Sequence, residues 1–364
     1  MLAPFSGSYD PGDVQFLLRK LDIEPIDDVD EKERLIQSGQ RHYSEIIGRE
    51  KLPSDKYFAL YEQSLEINGP RVAADLLRLA QHINHQRGDV ITLVSLARAG
   101  TPFGVLLKRI FKQRFGIEVA HYSISIIRDR GIDANALDYI LSQHPAESLC
   151  FIDGWSGKGA IAGELKKSVA AYNASRRLES GVSPELFVLV DLAGVAAASG
   201  SVDDYLIPSA ILNAPISGLV SRTILNELIG PDDWHGCLFY SKWFDIDRSR
   251  DYIARIDAHV QRLAMPLPRP APDDALCRRR LMSAWVDRVM RERGLVNRNL
   301  VKPGIGEATR AVLRRTPQEV ILKSTRDPDL AHLVLLCKER GVKVKEDTQL
   351  LLKAVAIIRS LGDV

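Results

Sequence analysis

Cysteine is scarce in this sequence: four in 364 residues, with Cys150, Cys237, Cys277 and Cys337 far apart and no CxxC spacing among them. That excludes a zinc knuckle, a CxxC redox motif and a disulfide framework, and leaves the thiols to read first as core residues. Long apolar runs are missing too, since none reaches the roughly 18 residues that a membrane span needs. The opening stretch MLAPFSGSYDPGDVQ has neither the basic start nor the apolar run of a secretory signal, so a cytoplasmic chain with no membrane partner is expected. A strong charge of one sign is also absent, the net being +2, and 45% hydrophobic with 26% charged residues is the make-up of an ordinary globular protein. At about 100–200 residues per domain, the length suits two domains.

The small net charge hides an asymmetry. Residues 271–364 hold 19 Lys and Arg against 12 Asp and Glu, +7 in all, which leaves −5 for residues 1–270. A basic module favours a polyanionic partner such as nucleic acid, although a solvated lysine-rich surface carries the same signature. Four prolines within residues 265–272 neither continue a helix nor fit a central strand. The expected division is therefore a large domain over 1–264, a proline-rich linker and connecting helix over 265–295, and a small domain over 296–364.

Apolar, β-branched runs at 90–97, 148–153 and 187–191 each precede a small-residue loop, and the first two loops lead into helical patterns at 103–111 and 160–169. Strand, loop and helix in alternation predict an α/β fold with a parallel sheet and helices on both faces. The stretch 119–127 alternates polar and apolar residues as an edge strand does, and ends at Arg128 and Arg130. In such a sheet the loops at the carboxyl ends of the strands meet at one rim, where ligands bind.

The most informative loop is Asp153-Gly154-Trp155-Ser156-Gly157-Lys158-Gly159. Three glycines before a helix let successive amides converge into a nest for phosphate. The spacing is not that of a Walker A loop, which needs four residues before its Gly-Lys pair and a hydroxyl after the lysine. It also fails GxGxxG, so neither an NTPase nor a nicotinamide-dinucleotide enzyme is indicated.

A strand ending in an acidic residue, then this loop and a helix, looks like the phosphoribosyl diphosphate (PRPP) loop of type I phosphoribosyltransferases, and SLARAGTP at 95–102 looks like their diphosphate loop. Together with FSGSY at 5–9, IQSG at 36–39, RHYSE at 41–45, HYSISIIR at 121–128, RGID at 130–133 and LIPSA at 206–210, these segments resemble the phosphoribosyltransferase-like family of tellurite-resistance and stress gene clusters. Some of its members are labelled StiP-type cysteine proteases. The resemblance departs in two places. One carboxylate, Asp153, precedes the loop where transferases carry two adjacent ones. A thiol that relatives hold after Ser209-Ala210 is replaced by Ile211.

The resemblance implies transfer from PRPP to a base-like acceptor with release of diphosphate. Asp153 would hold the ribose hydroxyls, with Gly154, Ser156, Gly157, Lys158 and Gly159 on the 5′-phosphate and Arg98, Ala99 and Gly100 on diphosphate. Mg²⁺ would bridge the PRPP oxygens, reaching Asp153 only through PRPP, and Arg128 and Arg130 would close as a cationic lid. Ser217, Ser221, Arg222 and His235 would read the acceptor, although the same residue types serve equally as caps and turns. Two alternatives stand beside this reading: a non-catalytic nucleotide-sensing regulator, and a cysteine peptidase.

In the last third, Leu281, Met282, Trp285, Val286 and Val289 share one face at helical spacing and predict a connecting helix. A helix, strand, helix, strand order follows, as in a small α/β sandwich. The segment Gly304-Ile305-Gly306-Glu307-Ala308-Thr309-Arg310 resembles the RNA-gripping turn of Pelota domains. On that resemblance Lys302, Gly304, Gly306, Glu307, Arg310, Arg314 and Arg315 would meet RNA.

Overall fold

The structure, a computed structural model, describes residues 3–177, 180–267, 274–315 and 317–359. Residues 268–273 of the expected linker lie outside the described residues.

Six strands form the main sheet: β1 (Gln15–Phe16), β2 (Thr92–Leu96), β3 (Ala120–Ile124), β4 (Leu149–Ser156), β5 (Leu186–Asp191) and β6 (Ala198–Ser201). They lie in the order β1-β3-β2-β4-β5-β6, and every neighbouring pair is parallel. All residues of β2 and β5 are buried, because a parallel sheet is covered on both faces and its strands must be apolar throughout. That is why their runs are continuous in the sequence.

The helices that cover it, with the first helix of the chain, are α1 (Val29–Gln37), α2 (Asp55–Arg87), α3 (Thr101–Ile110), α4 (Ala134–Leu141), α5 (Ala160–Arg176) and α6 (Ser249–Arg262). One face of the sheet packs on α2, α3 and α6, with Leu65, Val72, Leu76 and Ile83 of α2 buried; the other packs on α4 and α5 through Leu137, Ile140, Leu165 and Val169. Ser54 starts α2 by accepting the Tyr57 amide, the usual role of a helix-capping hydroxyl.

The connecting helix α7 (Ala275–Glu292) buries Met282, Trp285, Val286 and Val289 as its spacing predicted, but Leu281 is 56% exposed. Beyond it come β7 (Val301–Pro303), α8 (Ile305–Arg314), β8 (Pro317–Leu322), α9 (Ala331–Glu339), β9 (Lys343–Glu346) and β10 (Ala354–Ile358). Their sheet runs β7-β10-β8-β9. Its centre, β10, is antiparallel to both β7 and β8, and β8 and β9 are parallel.

The α/β expectation therefore holds at the level of a parallel sheet with helices on both faces and a small C-terminal α/β unit, while nothing in the strand order singles out the phosphoribosyltransferase class. Three details differ. The stretch expected as an edge strand is split: Ala120–Ile124 lies inside the sheet as β3, and Ile126–Ile127 pairs antiparallel with Gly131–Ile132. Strand β4 runs through Ser156, so Asp153, Gly154 and Trp155 are strand residues and not loop. The apolar contacts of the main sheet also continue without a break into Val301, Ile305, Val312 and Val355. The two units share one core. Among the described residues, no helix is long and apolar enough to cross a membrane.

Candidate functional site at the domain seam

The carboxyl end of β4 faces the C-terminal unit, not solvent. A Cβ on Gly157 would stand 2.4 Å from Glu307 Oε1 and 2.9 Å from the Pro303 carbonyl. Lys158 Nζ donates to the Val301 carbonyl at 2.7 Å and to Glu307 Oε2 at 3.0 Å, with only 5% of its side chain exposed. A Cβ on Gly306 would meet the Trp155 indole at 2.4 Å, and the Arg310 guanidinium stacks over that indole with its carbon 4.3 Å from the ring centre. Ser156 Oγ donates to Asp191 Oδ1 and accepts the Ala193 amide. The turn expected to cradle phosphate is filled by Pro303, Gly306, Glu307 and Arg310.

The glycines thus serve close approach between two chains of backbone and side chain. The positive φ of +81° at Gly159 starts α5. Asp204, a residue the sequence did not flag, accepts the amides of Ile305 at 2.9 Å and Lys353 at 2.8 Å. It caps α8 from the other domain, where Gly304 offers no side chain.

Electrostatics follow from this packing. Burial pushes the Asp153 carboxyl up to about 6, against the opposing pull of Arg310, and its Oδ1 accepts its neighbour's amide at Gly154. Burial would also raise Glu307, but Lys158 and Lys302 outweigh it and hold the carboxyl below its ordinary range. Burial drives the Lys302 ammonium well down. Lys302, Glu307, Arg310 and Arg314, expected on an RNA-facing surface, are instead walls of the seam. The physical reason is the shared core, which brings α8 against β4.

The remaining expected residues separate into groups. Arg98 is 5% exposed; its Nη1 donates to the Val220 carbonyl at 2.7 Å and its Nη2 lies 2.5 Å from Glu50 Oε1. The Gly100 amide is taken by the Leu96 carbonyl, and the Ala99 carbonyl lies 3.5 Å from where a Gly154 Cβ would be. Arg128 donates from Nη1 to Asn299 at 2.9 Å and Arg130 to Glu45 at 3.1 Å, so both sit in a groove and do not close on Lys158. Ser217 bonds the Asn213 carbonyl, Ser221 the Arg222 carbonyl and the Leu238 amide, and His235 binds Asp133 and Ser125. Each of the three is thus engaged by groups of its own surroundings. Arg222 differs: its side chain reaches the Ile46 and Thr223 carbonyls near Arg98. Arg315 makes a two-pronged bond to Glu33. Glu33, Glu50, Asn213 and Asp204 carry no spacing signal; only tertiary contact reveals them.

The cysteines remain core residues for the most part. Burial pushes the thiols of Cys150 and Cys337 up to about 11 and that of Cys237 up to about 12, while Cys277 on α7 is exposed. Among the described residues no cysteine is hydrogen-bonded to a histidine ring. Nor do they contain a group of three or more His, Cys, Asp or Glu side chains placed to hold a metal.

Comparison with known proteins assigns the chain. A family model described as tellurite-like stress resistance cysteine protease StiP matches residues 7–257, and one described as PELOTA RNA binding domain matches 281–360. A curated relative, the cysteine protease StiP of Acinetobacter baylyi, is 40% identical over 98% of this chain and 95% of its own length. The expectation of a PRPP-dependent transferase is overturned by these matches, which name a cysteine protease, and the Mg²⁺ expected through PRPP loses its basis with it. With more than two thirds of its length matched and a relative aligned almost end to end, the chain belongs to the family of tellurite-like stress resistance cysteine proteases, StiP.

Proposed function

We propose that this chain is a stress-resistance peptidase of the cysteine type that also binds RNA, and that RNA lies in an open groove beside the seam. Support for the peptidase half is the 40% identity, over 98% of this chain, with a relative of that name. Within the matched segment the thiols are Cys150, inside β4, and Cys237, which follows His235 by two residues; both are buried. A thiolate is the nucleophile in such chemistry, and burial in apolar surroundings disfavours it. If one of them is the nucleophile it must open to substrate, so native iodoacetamide is expected to label that thiol besides the exposed Cys277 and to abolish cleavage of a casein substrate; labelling of Cys277 alone with cleavage intact counts against the reading. Loss of cleavage in Cys237→Ser or Cys150→Ser supports the reading, and full cleavage in both overturns it.

The observation that carries the RNA half is a groove of about 930 Å³ between the two units. Arg34, Arg41, Arg128, Arg130 and Arg315 line it against Glu31, Glu45 and Asp129. Its wall also presents the packed rings of His42 and Tyr43, with centres 4.5 Å apart. Guanidiniums for the backbone and rings for the bases are what single-stranded RNA recognition uses. The double variant Arg41→Ala/Arg130→Ala is expected to weaken binding of single-stranded RNA uniformly across sequences. It also lowers the slope of log affinity against log salt by about 0.7 per lost contact. Unchanged affinity and slope, read by fluorescence anisotropy, would place RNA elsewhere.

A further inference from the structure

A second groove, of about 540 Å³, opens between the two units. The first residues of α1, Val29 and Asp30, line it, while Glu31 and Arg34 of the same helix line the groove assigned to RNA; Arg315 stands on the wall of both. Its size is that of a ligand cleft, about 300–1,000 Å³.

The two grooves differ in charge. The RNA groove sets five guanidiniums against three carboxylates. Here Asp30, Glu50 and Glu339 balance Lys51, Arg315 and Arg340, and two of the six are tied elsewhere, Glu50 to Arg98 and Arg315 to Glu33. A polyanion gains no net attraction from such a wall. An uncharged ligand suits it. Much of the remaining lining is apolar, with Val29, Leu52, Pro53, Leu313, Pro317 and Val342 on it, and Leu52 is 58% exposed. The one aromatic ring among the described lining residues, Tyr57, is 2% exposed, and its hydroxyl donates to the Ile211 carbonyl at 3.0 Å. No ring is open there for a base to stack on.

The main chain on this wall is bare. Residues 50–53 lie outside any helix or strand, and none of their main-chain N–H or C=O groups has a protein partner among the described residues. Lys51 and Leu52 are exposed, and Pro53 biases Leu52 toward extended backbone. Unpaired main chain beside apolar surface is what takes up a second extended chain, whose own main chain supplies the hydrogen bonds and whose alternate side chains enter the apolar floor. An acyl chain would cover the same surface but leave the donors and acceptors unpaired.

We propose that this groove binds an extended, uncharged polypeptide segment, its main chain against residues 50–53 and its apolar side chains against Leu52, Leu313 and Val342. The assignment rests on the peptidase reading, for which it names the substrate class: unfolded chain presenting apolar side chains at alternate positions.

The test is fluorescence anisotropy of the full chain with a short fluorescein-labelled peptide of glycine and serine that carries valine at two alternate positions. The peptide is expected to bind, and to lose about tenfold or more in affinity when aspartate replaces both valines or when its amides are N-methylated. Leu52→Asp in the protein is expected to weaken binding by about tenfold. Leu52 is exposed, so this variant should melt near wild type, and Leu52→Ser takes its place should it fail to fold. No binding, equal binding of the aspartate peptide, or wild-type affinity in the Leu52 variant overturns the proposal. Displacement of the peptide by single-stranded RNA that persists in Arg41→Ala/Arg130→Ala assigns the groove to nucleic acid and overturns it as well. A concentration-dependent dimer in sedimentation that Leu52→Asp abolishes assigns it to a second copy, with the same consequence. Casein cleavage is read separately. Cleavage without peptide binding removes this site and leaves the peptidase reading; peptide binding without cleavage removes the peptidase reading and the substrate role, and leaves a polypeptide site.

Discussion

Replacing Glu307 with glutamine is expected to destabilise the folded chain by about 3 kcal/mol, at the low end of the loss seen when one partner is removed from a buried ion pair. The low end applies because 23% of the Glu307 side chain remains exposed. Lys158 keeps its bond to the Val301 carbonyl, but Lys158 and Lys302 are left facing each other without a counter-charge. The measurement is a urea unfolding curve, read with hydrogen exchange of the α8 amides, which should exchange faster as the seam loosens. The sign with pH follows from the depressed carboxyl. Its contribution is present above the ordinary value of 4.5 and is lost as pH falls through the lower folded value, because the unfolded chain then binds the proton first. The gap between wild type and variant should therefore be full at neutral pH and close on acidification. A gap under about 0.5 kcal/mol at neutral pH would mean the pair behaves like a surface one. A gap that persists undiminished in acid would mean that the loss is not one of charge.

How far the sequence reaches is shown by three places. The strands at Thr92–Leu96 and Leu186–Asp191 are legible because a parallel sheet covered on both faces demands uninterrupted apolar residues. Ala354–Ile358 is just as apolar and fully buried, yet as a short run near the end of the sequence, without a following helix, it gave no pattern to place it at the centre of the second sheet. The turn from Asp153 to Gly159 is the instructive failure. Glycines that expose amides to a phosphate and glycines that admit another segment leave the same sequence trace. Only the meeting of Gly157 with Glu307, and of Gly306 with Trp155, tells them apart. Likewise Lys302, Arg310 and Arg314 read as a basic surface because charge usually lies at the surface, and nothing local records that a second unit covers them. Gly157, Lys158, Gly306 and Glu307, singled out in the sequence, meet at this seam, while Asp204, which carries no spacing signal, is placed there by tertiary contact alone. The single carboxylate at Asp153 was the one local sign against the transferase reading.

The same distinction gives the second large effect. Gly100 sits at the start of α3 with φ near −72°, a conformation alanine adopts freely, so no backbone preference requires glycine there. What requires it is the neighbouring strand: a Cβ at Gly100 would stand 2.1 Å from the Ile152 carbonyl oxygen, 2.9 Å from its carbon and 3.1 Å from Asp153 Cα. All three are main-chain atoms, and they cannot swing aside as a side chain would. Nor can the loop lift away easily, because Ser95 just before it is paired in register with Ile152 itself. Gly100→Ala is expected to cost about 3 kcal/mol, at the upper end of overpacking penalties, and to lower the urea midpoint accordingly. Gly163→Ala is the control with the opposite sign. That position lies within α5, is exposed and meets nothing within 4 Å, so alanine there should stabilise by up to about 1 kcal/mol through helix propensity alone. If Gly100→Ala instead melts with wild type, the β2–α3 loop is free to move off Ile152, and Gly100 is not held by packing. Its amide would then be free to leave the Leu96 carbonyl, and the rim of the sheet would be open to a ligand in a way that the closed seam denies.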